Sequence, residues 1–301
     1  GRGRPAGRTR RSGCEPREEP WARAELEVYQ PPRPGPARLE ALSPMDQPEP
    51  FYESFWRSAR WGAPEPNEDE RSRLLAIEHL LSRCALAERP RILDLGCGRG
   101  WLTRALAERG EVLGTDVTAA AVERARELFP ALRFEQAGVE ELLASHGEGA
   151  FDLVVSSEVL EHVGDGEKPA FLRGIHRLLR PGGHAVLTTP RGELWPAWRK
   201  SREWKQPIEA WVSESELDRL AVAAGFDVVQ RTRAHVYGIT PASRVLASRA
   251  FRSLASALPV LERLSVPFRI YQAVLLRRNA KLVGPTKTQE ESPAAAPPAH
   301  R

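Results

Sequence analysis

Residues 91–116 read RILDLGCGRGWLTRALAERGEVLGTD, and this stretch decides the fold. Ile92 to Leu95 is a short apolar run that leads into a glycine-rich turn at Gly96, Gly98 and Gly100. An amphipathic helix is predicted from Trp101 to about Glu108, then a second apolar run from Val112 to Gly114, closing on Asp116. Strand, glycine turn, helix and strand make half of a nucleotide-binding βαβ unit. Glycine lets the backbone turn sharply and approach a ligand, and an acid after the second strand stands where a ribose diol would lie.

The turn narrows the choice of nucleotide. Gly96, Gly98 and Gly100 spell G-x-G-x-G, which lacks the G-x-G-x-x-G spacing of a dinucleotide pyrophosphate loop. Asp94 precedes the turn inside the strand, and a carboxylate there repels a pyrophosphate but can orient water or an ammonium group. The pattern favours a cofactor with an adenosine end, a cationic amino-acid end and no phosphate, a description that S-adenosylmethionine fits.

Outward from this unit, apolar strands alternate with helices. Thr118 to Leu128 reads as a helix stopped by Pro130, Leu132 to Gln136 as a third strand, and Val139 to Ser145 as a short helix. Phe151 to Ser156 is a fourth strand, apolar enough to be buried on both faces. Pro169 to Leu179 is a helix ended by a turn from Arg180 to Gly183, and His184 to Thr189 is a fifth strand. Ser213 to Ala224 opens on a Ser-x-x-Glu box and stops at Gly225. Phe226 to Arg231 is a sixth strand and Tyr271 to Arg277 a seventh. The expected fold class is α/β: a doubly wound, mostly parallel seven-stranded sheet with a helical insertion at 237–267, before the last strand. Ligands of such sheets lie at the carboxyl ends of the strands.

The flanks read differently. Residues 1–44 are rich in Arg, Pro, Glu and Gly without periodicity, the composition of a disordered extension. Met45 is the one methionine, so the natural start is expected there; a basic tail docking on an anionic surface is the other reading of 1–44. Residues 45–90 form an expected helical cap. Its aromatic segment FYESFWRSARW, at 51–61, either plugs the core or covers a substrate pocket. Asn67, followed by Glu68, Asp69 and Glu70, starts a helix that runs to about Ala87, with Leu74, Leu75, Ile77, Leu80 and Leu81 on one side. The cofactor-binding domain spans 91–280, and 281–301, with repeated Pro and Ala, is a disordered tail.

Composition bounds the partners. A charged fraction of 28%, a hydrophobic fraction of 41% and a net charge of +4 fit a globular chain, and nucleic-acid binding is not expected. Cys14, Cys84 and Cys97 show neither a paired spacing nor a ligand pattern with histidine, which argues for a reducing, cytoplasmic location. The apolar, arginine-dotted segment at 237–267 is a helical insertion on the sheet edge, an active-site cover, or a weak membrane-surface contact. Oligomeric state is not legible in the sequence.

RILDLGCGRG, EVLGTD, FDLVVSSEVLEHV and LLRPGGHAVLTTP, in that order, resemble the successive motifs of class I S-adenosylmethionine-dependent methyltransferases, over roughly Asn67 to Arg277. Within that family the likeness is to the ubiquinone-biosynthesis O-methyltransferase type and its bacterial small-molecule relatives, carried by the run from Glu158 to His162. The resemblance implies a Rossmann-like methyltransferase fold and S-adenosyl-L-methionine as cofactor. It implies that Asp94, Gly96, Cys97 and Gly98 line the methionine portion, that Asp116 holds the ribose hydroxyls and that Val117 touches the adenine. Ser156 would offer its backbone carbonyl to the methionine ammonium. Gly138 stands where the family has an acid that reads the adenine amino group, so backbone groups near Gly138 and Val139, or Glu140, take that part.

Methyl transfer from a sulfonium needs alignment above all, and a hydroxyl acceptor also needs a base. His162, flanked by Glu158 and Glu161 after the fourth strand, is the candidate base or acceptor contact. The same three residues could gather one divalent cation, or form a plain helix start whose acids complement the dipole, so the metal remains unknown. His235 is a second candidate, while His146 falls on a loop, His176 on a helix and His184 at the start of a strand. Trp195, Trp198, Trp204 and Trp211, interleaved with Arg and Lys, read as a platform for a planar or sugar-like acceptor, or as staples for a long loop. The expected activity is methylation of a small-molecule hydroxyl, on a phenol or quinone precursor or on a glycan. A nicotinamide-dependent oxidoreductase and a non-catalytic cofactor-binding module are the rival readings.

Overall fold

The structure is a computed structural model that describes residues 48–58, 61–201, 206–237 and 241–279. The expectations for 1–44, for Met45, Cys14 and Trp204, and for the tail at 281–301 lie outside the described residues.

Two helices precede the sheet, α1 (Pro48–Arg57) and α2 (Glu68–Leu81). The Asn67 side chain accepts from the Glu70 N–H at 2.9 Å, and the Glu70 carboxylate accepts from the Asn67 N–H at 2.8 Å. This reciprocal cap starts α2 where the sequence predicts. The helix ends at Leu81, short of Ala87, because Ser82 closes it: its N–H donates to the Glu78 carbonyl and its hydroxyl to that of His79. Its buried face carries Arg73, Ala76, Ile77, Leu80 and Leu81, whereas Leu75 is exposed.

The sheet follows as β1 (Arg91–Leu95), α3 (Trp101–Leu106), β2 (Glu111–Asp116), α4 (Ala119–Leu128), β3 (Arg133–Gln136), α5 (Val139–His146) and β4 (Phe151–Ser157). A 3₁₀ turn, Leu160–His162, leads to α6 (Lys168–Leu178), β5 (Leu179–Pro190), α7 (Trp195–Ser201), α8 (Glu214–Ala223) and β6 (Phe226–Val236). The strands lie in the order β3-β2-β1-β4-β5-β7-β6, where β7 is Arg269–Arg278. Pairing is parallel from β3 to β5, and β7 runs antiparallel to both β5 and β6. The chain moves outward from β1 to β3, then returns to place β4 on the other side of β1. The crevice at the carboxyl ends of β1 and β4 is therefore the topological switch point.

Alternation along the strands fills a core on each face. Phe151 and Val154 of β4 pack on one side with Leu142, Leu172, Ile175 and Leu217 from α5, α6 and α8. Leu153 and Val155 pack on the other with Ile77, Leu80, Leu102 and Leu106 from α2 and α3. Each such side chain contributes roughly 1.5–3 kcal/mol by leaving water, which is why both faces must be covered.

Several boundaries differ from the sequence reading. The predicted turn at Arg180–Gly183 lies inside β5: Phe151 pairs with Leu179 but Leu153 with His184, so the intervening residues form an irregularity of the strand. His184 is thus within β5, and His146 ends α5 rather than sitting on a loop. β6 runs to Val236, past Arg231, because β7 offers it a ladder as far as Arg269. The segment before β7 is helical, with α9 (Pro241–Leu246), α10 (Arg249–Ala257) and a 3₁₀ stretch, Pro259–Phe268. It leaves Val245, Leu254, Leu258 and Leu264 exposed. Among the described residues no helix is long and apolar enough to cross a membrane.

Candidate active site

The glycine turn after β1 is fixed from below by the Thr115 carbonyl, which accepts from the N–H groups of Gly96 (2.7 Å) and Cys97 (2.8 Å). Gly96 and Gly98 have φ of +81° and +51°, backbone that side chains disfavour. Space makes the same demand, since a Cβ on Gly96 would stand 2.2 Å from Cγ2 of Val159 and one on Gly98 2.5 Å from the Trp56 ring. Asp116, at the end of β2, accepts from the Gly98 N–H at 3.0 Å and the Thr118 N–H at 2.9 Å. Burial raises its pKa, and those two donors work against the shift.

Asp94 lies under the turn, only 1% exposed. One carboxylate oxygen accepts from the Thr103 hydroxyl at 2.6 Å, while Oδ1 has no partner. Burial pushes this carboxyl up to about 7, with Asp116 adding to the shift and the Thr103 bond opposing it. A buried acid with an open oxygen is suited to a cation.

A cavity of about 930 Å³ opens at the switch point. Its lining includes Gly96, Cys97, Gly98, Asp116, Val117 and, from the start of α5, Gly138 and Val139. Glu158, Glu161 and His162 line it from the end of β4. Of the residues expected at the site, Asp94 sits inside β1 beneath this wall. Ser156 is buried within β4, where its neighbour Ser157 lines the cavity instead.

Glu158 adopts φ +60°, the left-handed region, at the point where β4 gives way to the 3₁₀ turn. Thr188 of β5 holds it twice: the Thr188 carbonyl accepts from the Glu158 N–H at 3.0 Å, and the Thr188 hydroxyl donates to Oε1 at 3.2 Å. Burial and the neighbouring Glu161 push the Glu158 carboxyl well above the usual range, against the pull of Arg73. Glu161 accepts from the Thr189 hydroxyl at 3.0 Å through Oε2. His162 Nδ1 lies 3.0 Å from the Ile208 carbonyl; a carbonyl only accepts, so Nδ1 carries the proton. Nε2 is left facing Glu161 at 4.0 Å, beyond hydrogen-bonding range. Among the described residues no group of three or more His, Cys, Asp and Glu could hold a metal ion. Thr188, Thr189 and the Ile208 carbonyl instead direct the side chains of Glu158, Glu161 and His162.

The aromatic segment before α2 forms a wall of the cavity through Tyr52, Phe55, Trp56 and Trp61. Arg99 of the glycine turn ties this segment down. It pairs with both Glu70 oxygens at 2.5 and 2.8 Å and donates to the carbonyls of Ala63 (2.9 Å) and Glu65 (3.0 Å). Trp198 and Trp211 also line the cavity, their rings 5.4 Å apart, while the Trp195 ring lies tilted against Trp211 at 5.1 Å. His235, at φ +55°, contacts Ser72 at 3.2 Å and the Tyr237 ring, and is not among the lining residues.

Sequence reasoning missed Asp69, Arg73 and Tyr271, which line the same cavity. Arg73 stands 3.6 Å from Asp69 and 3.9 Å from Glu158, donates to the Ser157 hydroxyl at 3.3 Å and lies over the Tyr271 ring. Burial opposes its charge, but Glu158, Tyr271 and Asp69 more than offset that and raise its pKa. A signal was present: residues 69, 73 and 77 share one stripe of α2, so two charges sit on its apolar face.

S-adenosylmethionine fits the residues present, through the partnerless oxygen of Asp94, the glycine cradle and the Asp116 carboxylate beside it. Sheet order, glycine turn and crevice together define a class I S-adenosylmethionine-dependent methyltransferase. The chain belongs to the methyltransferase domain family, whose sequence model matches residues 68–231, just over half of it. It is 34% identical over 175 residues to an uncharacterized methyltransferase of Synechocystis, a match that covers 56% of this chain and 78% of that one. It is 34% identical over 177 residues to the ubiquinone biosynthesis O-methyltransferase of Alkalilimnicola ehrlichii, covering 52% and 68%. Among solved structures, the N-methyltransferase NodS of Bradyrhizobium japonicum, in complex with S-adenosyl-L-homocysteine, shares the fold with a TM-score of 0.54 at 19% identity, covering 76% and 97%.

Proposed function

We propose that this methyltransferase acts on a hydroxyl of a small, planar acceptor, with His162 as the base. The observation that carries the reading is the 3.0 Å bond from His162 Nδ1 to the Ile208 carbonyl, which leaves Nε2 unprotonated on a side chain that lines the cavity. The similarity to a ubiquinone biosynthesis O-methyltransferase favours the same acceptor class.

When bound, S-adenosylmethionine supplies a methyl group made electrophilic by its sulfonium. The chain's part is to align and to move one proton. Asp116 would receive the ribose hydroxyls and Val117 the adenine, with backbone groups around Gly138 and Val139 at the adenine edge. Asp94, through its open oxygen and the turn above it, serves the cationic amino-acid end, and the backbone near Ser156 and Ser157 assists. Nε2 of His162 would accept the acceptor's hydroxyl proton as the methyl group is taken up. Glu161 then lies beside the imidazolium. The aromatic segment at 51–61 acts as the cap that keeps water out.

The test is a methyl-donor assay against phenols, glycans and amines, with products located by NMR. O-methylated product from wild type is expected, and His162→Ala should lower kcat by roughly 10²–10⁴-fold. A His162→Ala enzyme near wild type at neutral pH would remove the histidine from the reaction.

A further inference from the structure

The bond that orients His162 comes from a main-chain carbonyl of a distant segment, so it persists only while that segment is held. Ile208 lies between two anchors. The Ala210 N–H donates to the Glu161 carbonyl at 2.8 Å, and on the other side the Gln206 side chain accepts from the Tyr52 hydroxyl at 3.3 Å. Within the segment, the Gln206 N–H donates to the Glu209 carboxylate at 3.4 Å. The first anchor ties the segment to the same turn that carries His162. The second ties it to α1, a different part of the fold.

Tyr52 also reaches the other partner of the bond. Its ring meets the His162 ring edge-on at 5.6 Å, so one side chain touches the imidazole and holds the segment that the imidazole binds. α1 gives it firm footing. Four residues on, the Trp56 ring rests on Gly98, and Glu53 accepts from the Ala120 N–H at 3.4 Å, at the start of α4. The phenol keeps its proton at neutral pH: burial raises its pKa, and Glu161 and Glu209 add to the shift, so the hydroxyl remains a donor.

Which nitrogen of a neutral imidazole carries the proton is set by the bond the other one makes. Held by Ile208, the proton stays on Nδ1 and Nε2 keeps its lone pair. With the carbonyl drawn away, the proton is free to sit on Nε2, which then accepts nothing. We propose that Tyr52 is a positioning residue for the transfer: its hydroxyl, through Gln206, keeps the Ile208 carbonyl on His162 and fixes the tautomer in which Nε2 is open. The inference rests on the reading of His162 as the base. It gives Tyr52 no contact with the reacting atoms, and it makes the segment 206–210 a working part of the base.

The experiment reads the tautomer directly. Nitrogen NMR of the full chain with isotope-labelled histidine, at alkaline pH where imidazoles are neutral, distinguishes a protonated ring nitrogen from a bare one. The His162 signals are those lost in His162→Ala. Wild type should show Nδ1 protonated and Nε2 bare. Tyr52→Phe keeps the ring and removes the hydroxyl. It should bring up the Nε2–H form and lower kcat roughly three- to tenfold, while S-adenosylmethionine binds as before. Gln206→Leu should do the same, and the double variant should be no worse than either, because one bond is lost in all three. A tautomer unchanged in both single variants overturns the inference even where kcat falls, and so do additive losses in the double variant. A tautomer shift without loss of kcat keeps Tyr52 as the residue that orients His162 and overturns the reading of His162 as the base. A wild-type proton on Nε2 overturns both.

Discussion

Asp94 is the residue whose chemistry depends most on what lies above it. Its carboxyl titrates at about 7 in the folded chain, well above its ordinary value. A cation placed against the open oxygen favours the ionised form, so cofactor binding at lower pH must first remove a proton. The dissociation constant for S-adenosylmethionine should therefore fall as pH rises from about 6 to about 8, as the carboxyl ionises. The cofactor-free protein responds with the opposite sign. A carboxyl whose folded pKa is raised stabilises fully only below its unfolded value, and that contribution is lost as pH rises through about 7. Titration calorimetry with parallel thermal melts across this range checks both slopes, and Asp94→Asn should flatten them. A wild-type affinity independent of pH would separate Asp94 from the cation.

At the scale of elements, one side chain couples the glycine turn to the start of α2. Arg99 is 3% exposed, and its removal leaves Glu70 buried without its partner. Arg99→Ala should cost roughly 3–5 kcal/mol in chemical denaturation and weaken cofactor binding. The double substitution Arg99→Ala with Glu70→Leu should recover much of the stability, because no lone charge then remains. An unchanged stability for Arg99→Ala would mean that solvent replaces the pair. None of this coupling was legible in the sequence, where Arg99 is an unmarked position between two glycines. What was legible is what local rules govern: the caps at Asn67 and Ser213, the glycine turn and the apolar runs of β1 and β4. The ends of β5 and β6 escaped because the neighbouring strand sets them. Turn-forming Arg180–Gly183 is absorbed as an irregularity, and β6 runs on as far as β7 pairs with it.

Over the whole molecule, the two halves of the site differ in how the chain assembles them. The lining around the glycine turn is drawn mainly from one segment, residues 91–139, so its motifs can be read in order. The rest of the lining joins α1, α2, the turn after β4, residues 206–211 and β7, and no spacing rule connects Asp69 to Tyr271, although the Tyr271 hydroxyl donates to Asp69 at 3.0 Å. Ligand binding should reach across this assembly. Cofactor at about 100 times its dissociation constant should stabilise the fold by about 2.7 kcal/mol. Hydrogen exchange should slow most in the glycine turn and in α1, which packs against α4 above it. Protection confined to β1 and β2, with α1 unaffected, would show that the aromatic segment does not act as a cap.

Glu158 limits how this enzyme can be redesigned. Its main chain is left-handed while its side chain bonds Thr188 and faces Arg73. Glycine would relax the main chain and delete the carboxylate; most other residues would lose the carboxylate and keep the strain. Efforts to retarget the enzyme to another acceptor therefore have little room there. The freer starting points are, Tyr52 apart, the aromatic side chains of α1, which can be exchanged without changing how the backbone turns.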